Sequence, residues 1–370
     1  MRAARWWPAS ATLVYLCLAA FTWMFSQEGL QAAPRLQPKS MDESFAPMRL
    51  RGSRPGGGRE GGGPKVPFSR IVPDEDGYSL SFGFKNFNGD VLTLQAALPA
   101  GAVAESVREF GFSGEQFEAL DKWYKKAQQT AVAEANERFV SGQVTAKSKP
   151  ELASKMAFIR EHNDGVQKQL DAQLAQLSED YRRKRIEVYT KGGFRFQAPG
   201  KNVVEADIPA MVRRNWKRVR GVAQGFAGLA EEQGYESEDL VGAVTAMVQT
   251  SMRYEVPADR EGNRVMGGVL PPPKSLSMGQ GDCDTKTAVI ASILMNWPNL
   301  KMVGLAIPGH YLMAVHRIPR NGDVFIEYEG IPYVMIESAG PAWLPPGEVG
   351  ETTSDYLGAG NNFRIQPLTL

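Results

Sequence analysis

Cysteine and histidine are scarce in this chain: there are two cysteines, Cys17 and Cys283, and three histidines, His162, His310 and His316. Cys17 lies in a hydrophobic N-terminal stretch, which leaves Cys283 without a partner in the folded part. That excludes a disulfide framework and argues against a zinc site built from cysteines. Cys283 stands in Gly279-Gln280-Gly281-Asp282-Cys283-Asp284-Thr285-Lys286-Thr287. Immediately downstream, Ala288 to Met295 is apolar on every side, as a helix buried all round must be. The spacing therefore predicts a thiol at the N-terminus of a buried helix, with Asp284 as the N-cap candidate. The partial positive charge there favours a thiolate and lowers its pKa. Asp282 and Asp284 oppose that ionisation, so the site needs an imidazole.

His310 follows Pro308-Gly309 and opens an apolar strand, Tyr311 to Val315, which His316 ends. Of the two, His310 is the better general base, because Gly309 permits a close approach at a cleft. His162 sits on a helical arm between Glu161 and Asn163 and reads as an exposed side chain. The third group should accept a hydrogen bond from the imidazole and hold its tautomer. Tyr333-Val334-Met335-Ile336 is a buried-type strand that ends in Glu337. A carboxylate there needs a partner, and His310 supplies one if the two strands are antiparallel neighbours. Val324 to Tyr328 is a further strand candidate and could lie between them.

The elements around these residues are legible from period and punctuation. Arg2 and Arg5 precede an uncharged run from Trp6 to Phe25, about the ~20 residues a membrane crossing takes. Residues 1–33 read as a signal peptide cut near Ala32 or Ala33, or as an uncleaved anchor with the arginines inside. Residues 34–67 form a Gly/Pro-rich linker that cannot offset its ordering entropy. In residues 68–112, Tyr78, Leu80, Phe82 and Phe84 alternate, as do Leu92, Leu94, Ala96 and Leu98, with Asn88-Gly89 between them. That is a β-hairpin. In residues 113–191 the period changes. Phe117, Leu120, Tyr124, Ala127 and Ala131 keep helical spacing, as do Met156, Ile159, Val166, Leu170, Leu174, Leu177, Tyr181 and Val188. This predicts a long antiparallel helical hairpin of coiled-coil type, with Asn163 as a polar register-setter. Residues 192–370 hold the chemistry, with helices expected over Met211 to Ala230 and Glu238 to Met252. A net charge of +1 offers no argument for a nucleic-acid partner.

Gly-Asp-Cys-Asp at 281–284, Gly-His-Tyr-Leu-Met-Ala-Val at 309–315 and Tyr-Val-Met-Ile-Glu-Ser at 333–338 resemble the three motifs of the transglutaminase-like superfamily. The match is closest to its bacterial, envelope-located cysteine-peptidase-like branch. The resemblance covers Glu238 to Gly350, and Pro346-Gly347-Glu348-Val349-Gly350 is similar to that branch's closing segment. It implies an α+β fold with a papain/transglutaminase-like cysteine hydrolase core, a buried helix on an antiparallel sheet. It also implies a Cys283–His310–Glu337 triad acting on protein or peptide amides through a thioacyl intermediate, with no cofactor. Gln249 is carried over as an oxyanion-hole candidate, with Gln280 as its competitor. One departure is Glu337, where many members have Asp. Asp282, Asp284 and Glu337 are too few and too committed to predict a calcium site, and no other metal is expected. The implied location is the periplasm or cell envelope, secreted or held to the membrane by the N-terminus. Hydrolysis is favoured over crosslinking. The rival from another class is an inert envelope scaffold whose helical arm binds a protein partner.

Overall fold

The structure, a computed structural model, describes residues 65–197, 203–360 and 363–369. Residues 1–64, on which the expected targeting segment and most of the expected linker fall, lie outside the described residues. The described chain is a mixed α+β fold. In chain order its elements are β1 (Phe68–Pro73), β2 (Gly77–Lys85), β3 (Val91–Pro99), α1 (Ala100–Arg108), β4 (Phe112–Ser113), α2 (Gly114–Arg138), α3 (Lys149–Lys191), β5 (Phe194–Phe196) and β6 (Val204–Ala206). Then come α4 (Ile208–Asn215), α5 (Arg220–Gln233), α6 (Ser237–Ser251), β7 (Arg253–Tyr254), β8 (Arg260–Glu261), β9 (Arg264–Val265), α7 (Pro272–Met278), β10 (Gln280–Gly281) and α8 (Cys283–Leu294). Last are β11 (Met302–Ile307), β12 (His310–His316), β13 (Phe325–Tyr328), β14 (Ile331–Ile336), α9 (Glu351–Gly358) and β15 (Arg364–Pro367).

β2 and β3 are the arms of the hairpin, in the register Tyr78↔Leu98, Leu80↔Ala96, Phe82↔Leu94 and Phe84↔Leu92. The turn is wider than an Asn-Gly pair alone would make. Asn86 N–H bonds Asp90 O at 2.8 Å, Gly89 N–H bonds Asn86 O at 3.0 Å, and Gly89 takes the left-handed position at φ 99°. A turn with a left-handed glycine at its end is the usual three-residue hairpin loop. β1 adds a third antiparallel strand on the other side of β2. Phe82 and Phe84 of this sheet, with Phe226 of α5, are fully buried, each worth roughly 2–3 kcal/mol of transfer free energy. α5 lies hard against β3. A Cβ at Gly221 would stand 2.5 Å from Ala97 O, and one at Gly225 would stand 2.8 Å from Gln95 O.

α2 and α3 form the helical arm. Gln116 Oε1 accepts from Ser113 N–H at 2.9 Å at the start of α2, and Ser148 Oγ accepts from Glu151 N–H at 3.4 Å at the start of α3. Leu120, Ala131, Ala135 and Val166 are buried between them, and Tyr124 stacks on Tyr181 at 4.4 Å. Asn163 holds the backbone of Val140 with both ends of its amide, at 3.0 Å each. That fastens the turn leaving α2. α3 extends past the end of α2, and there Met156 of the stripe is 44% exposed and the nearby Phe158 70%. Among the described residues no helix is long and apolar enough to cross a membrane.

The C-terminal half is built on a five-stranded antiparallel sheet in the order β13-β14-β12-β11-β15. Its side chains alternate with period two. Tyr311, Met313, Val315 and Ile336 join the large core that contains α8, α6 and α5. Leu312, Ala314, Tyr333 and Met335 pack on the opposite face with Leu357 of α9. Every residue of α8 is buried except Asp284. β13 is an edge strand, so nothing separates β12 from β14.

Candidate active site

Three tight features set the N-terminus of α8. β10 pairs in parallel with β7, which fixes Gln280 opposite Arg253 and Gly281 opposite Tyr254. Residue 281 must be glycine, because a Cβ there would lie 2.5 Å from Thr285 Cγ2. Asp282 then caps the helix, its Oδ1 accepting from Thr285 N–H at 3.1 Å. The N-cap is therefore Asp282 rather than Asp284. Cys283 already starts the helix and Asp282 is extended, at φ −88°, which leaves Asp284 inside the first turn.

The thiol of Cys283 is 8% exposed, and it donates to Asp284 Oδ1 at 3.4 Å. The main chain behind it is clamped. Ser338 Oγ donates to Cys283 O at 3.3 Å and lies 2.6 Å from Thr287 Oγ1, which donates to Tyr311 O at 3.3 Å. The next residue back from Tyr311 is His310, and the next back from Ser338 is Glu337. One buried hydroxyl cluster thus ties the helix end to the two strands that bear the other site residues.

His310 Nε2 lies 2.9 Å from Glu337 Oε1. The last pair of the β12–β14 ladder is Met313↔Ile336. Continuing that register puts Leu312 opposite Glu337, so His310 and Glu337 share a face as diagonal neighbours. Glu337 is 4% exposed, with Ala339 N–H on Oε1 at 3.2 Å and Thr353 Oγ1 on Oε2 at 3.4 Å. Burial pushes its carboxyl up, but the hydrogen bond and charge of His310 and the N–H groups of Ala339 and Gly350 outweigh this. The carboxyl sits below the usual range. The longer Glu side chain spans the gap to the ring.

The electrostatics at the sulfur carry the opposition expected of Asp282 and Asp284, but not the lowering expected of the helix terminus. The helix terminus was expected to lower the thiol's pKa. Instead, burial first and then the neighbouring Asp284 and Asp282 push it up to about 12, opposed by a hydrogen bond from Tyr311 N–H. Asp284 is itself pushed up to about 6, by burial and by Asp282. The thiol is turned to Asp284. The ring of His310 is turned to Glu337, and thiol and ring are not hydrogen-bonded to each other.

The two glutamines separate. Gln249 gives its Nε2 to Glu337 O at 2.7 Å and to Leu344 O at 3.0 Å, while its Oε1 accepts from Leu344 N–H at 2.9 Å. All of its amide is spent on holding the segment after β14, so it has no donor left for an oxyanion. Gln280 has its Oε1 held by Arg253 Nη2, and its amide nitrogen makes no hydrogen bond to protein among the described residues. His316 lies at the far end of β12, its Nδ1 on Pro332 O at 2.9 Å. His162 is exposed on the arm, with its Nε2 on Arg138 O at 2.9 Å. Among the described residues no group of three His, Cys, Asp or Glu side chains is placed to hold a metal ion.

No family model, curated protein or solved structure matches this chain.

Three residues that sequence reasoning passed over border the site. Tyr254 has a half-exposed ring, and its phenol is pushed up by burial and then by the charges of Cys283, Asp282, Asp284 and Glu337. Ser338 supplies the clamp. Lys286 is fully buried, with Nζ on Met252 O at 2.8 Å and 6.0 Å from the Tyr254 ring. Met252 is the C-cap of α6, so this ammonium sits where a helix presents orphan carbonyls and partial negative charge. A lysine set just before an otherwise apolar run was the available signal.

Proposed function

We propose that the chain is a transglutaminase-like cysteine hydrolase acting on protein or peptide amide bonds, with its buried helix and antiparallel sheet as a papain/transglutaminase-like core. The observation that carries the reading is the partly buried His310–Glu337 pair at 2.9 Å, one residue away from the strand position that touches the Cys283 end of α8. Glu337 holds the imidazole with Nε2 engaged, which leaves Nδ1 as the base. Apo sites often have loose catalytic hydrogen bonds that tighten with substrate. Here the tightening is a rotation of the thiol from Asp284 to the ring.

In the reaction, Nδ1 of His310 takes the thiol proton and sulfur forms a bond to the amide carbon. The carbon–nitrogen bond breaks as the imidazolium returns that proton to the leaving amine or ammonia. The Gln280 amide and the backbone N–H groups at the start of α8 hold the oxyanion. Water then cleaves the thioester, with His310 again as the base. A lysine amine in place of water would give a crosslink. The N-terminal stretch fits an exported protein of the periplasm or cell envelope, and the arm fits a docking surface for a protein partner.

One observation favours an inert scaffold instead: the thiol is nearly buried and paired with a carboxylate. Proteomics of cells producing the wild-type or the Cys283→Ala protein separates the two. New N-termini that vanish with Cys283→Ala indicate a peptidase, Gln-to-Glu changes an amidase, and Gln–Lys links a transglutaminase. Identical proteomes would overturn the enzymatic reading and leave the scaffold.

A further inference from the structure

We propose that Asp284 is a fourth catalytic group, which accepts the thiol's hydrogen bond at rest and keeps Cys283 protonated until the sulfur turns to His310. The inference rests on the reading above. It deepens that reading by naming what controls the nucleophile.

The geometry points to Asp284 in three ways. It is the only residue of α8 that is not buried, so its carboxylate stays partly hydrated and charged beside a nearly buried sulfur. Its Oδ1 is the acceptor of the thiol at 3.4 Å. It does not do the capping, which Asp282 performs, so the helix does not need it. Placed in the first turn it suits the helix dipole, yet its negative charge stands beside the atom that has to become negative. The groups facing this pair are Asp282 on the preceding residue, Tyr254 of β7, His310 and the Tyr311 N–H of β12, and Glu337 after β14. Glu205 of β6 also raises Asp284, but Arg195 and Arg364 already hold it at 2.7–3.1 Å. His310 opposes these and favours the charged form of Asp284. A thiol held protonated is also a poor target for oxidation, which follows thiolate character.

The test is the rate at which iodoacetamide alkylates Cys283, followed by peptide mass spectrometry from pH 5 to 10 in wild-type, Asp284→Asn and His310→Gln full-length proteins. Asparagine keeps the size and removes the charge. Asp284→Asn is expected to alkylate about tenfold faster at pH 7, the effect of lowering the thiol pKa by one unit. The advantage should shrink as the pH falls below about 6, where wild-type Asp284 takes up its own proton. His310→Gln is expected to lack any such gain. An Asp284→Asn rate equal to wild-type would mean a contact without consequence. A slower rate would mean that Asp284 draws the proton off rather than holding it. Either result overturns the proposal. A thermal melt of Asp284→Asn that matches wild-type excludes unfolding as the cause of faster labelling. The proposal and the enzymatic reading fail separately: faster alkylation with an unchanged Cys283→Ala proteome sinks only the latter.

Discussion

His310 Nε2 and Glu337 Oε1 are 2.9 Å apart, although His310 opens β12, Glu337 follows the end of β14, and neither strand requires the contact for its own ladder. A carboxylate buried to 4% exposure has few ways to remain ionised. The imidazole is the main one here, and its hydrogen bond and charge hold the Glu337 carboxyl below the usual range.

Replacing Glu337 by Gln should keep the shape and remove the charge. Under the proposed mechanism turnover falls on the order of 10⁴-fold, as when an orienting carboxylate is lost from a triad. Stability supplies a check that needs no substrate. The Glu337 carboxyl is held below its ordinary value in the folded protein. Its contribution is therefore fully present above the unfolded carboxyl pKa and is lost as the pH falls through the folded one. Chemical denaturation should show wild-type exceeding Glu337→Gln at pH 7, with the gap closing in mildly to strongly acidic solution.

Lys286→Met runs the other way. Burial lowers the Lys286 pKa from 10.5 to about 8. Below pH 8 both folded and unfolded chains carry the charge, and the folded state bears the full cost of burying it. Between about 8 and 10.5 the folded protein sheds the proton first, so that cost is relieved as the pH rises. The methionine variant is expected to be more stable than wild-type at pH 7, by on the order of 3 kcal/mol before the lost bond to Met252 O is discounted. The difference should narrow towards pH 10. A variant less stable at pH 7 would show that the ammonium's bond to the end of α6 outweighs its desolvation.

The two glutamines should separate by readout. Gln249→Ala strips three hydrogen bonds, one buried and two partly buried, from residues 337 and 344. It is expected to lower unfolding free energy by about 2–4 kcal/mol and to loosen the Glu337 segment. Gln280→Ala should leave denaturant midpoints nearly unchanged while reducing turnover by ~10²–10³, the loss of one oxyanion donor. Equal stability losses in both would assign Gln280 to structure alone.

At the arm, Asn163→Ala removes both bonds to the Val140 backbone. Native-state hydrogen exchange at the Val140 amide is expected to speed up by about tenfold, with little change at Tyr124 or Tyr181, because local openings are independent of the body's stability. Acceleration spread evenly along α2 would show that the arm opens as one unit.

What could be read without coordinates was whatever is local. The alternation of Leu80, Phe82 and Phe84 specified a strand, and the three-four spacing from Phe117 to Ala131 and from Val166 to Val188 specified the arm. An apolar run after Cys283 specified a buried helix with the thiol at its head. Each of these follows from a period of two or of 3.6 residues meeting a core on one side. The candidate triad was also visible, because the chain holds so few cysteines and histidines that the choice was narrow. Tertiary structure alone decided who satisfies whom. It made Asp282 the cap and Asp284 the thiol's partner, spent Gln249 on residues 337 and 344, moved β13 to the sheet edge, and put Lys286 on the carbonyl of Met252, the C-cap of α6. The physical reason is that a buried polar group must find a partner wherever the fold brings one, and for Gln249 that partner is 88 residues away in sequence. No spacing rule encodes a contact of that range.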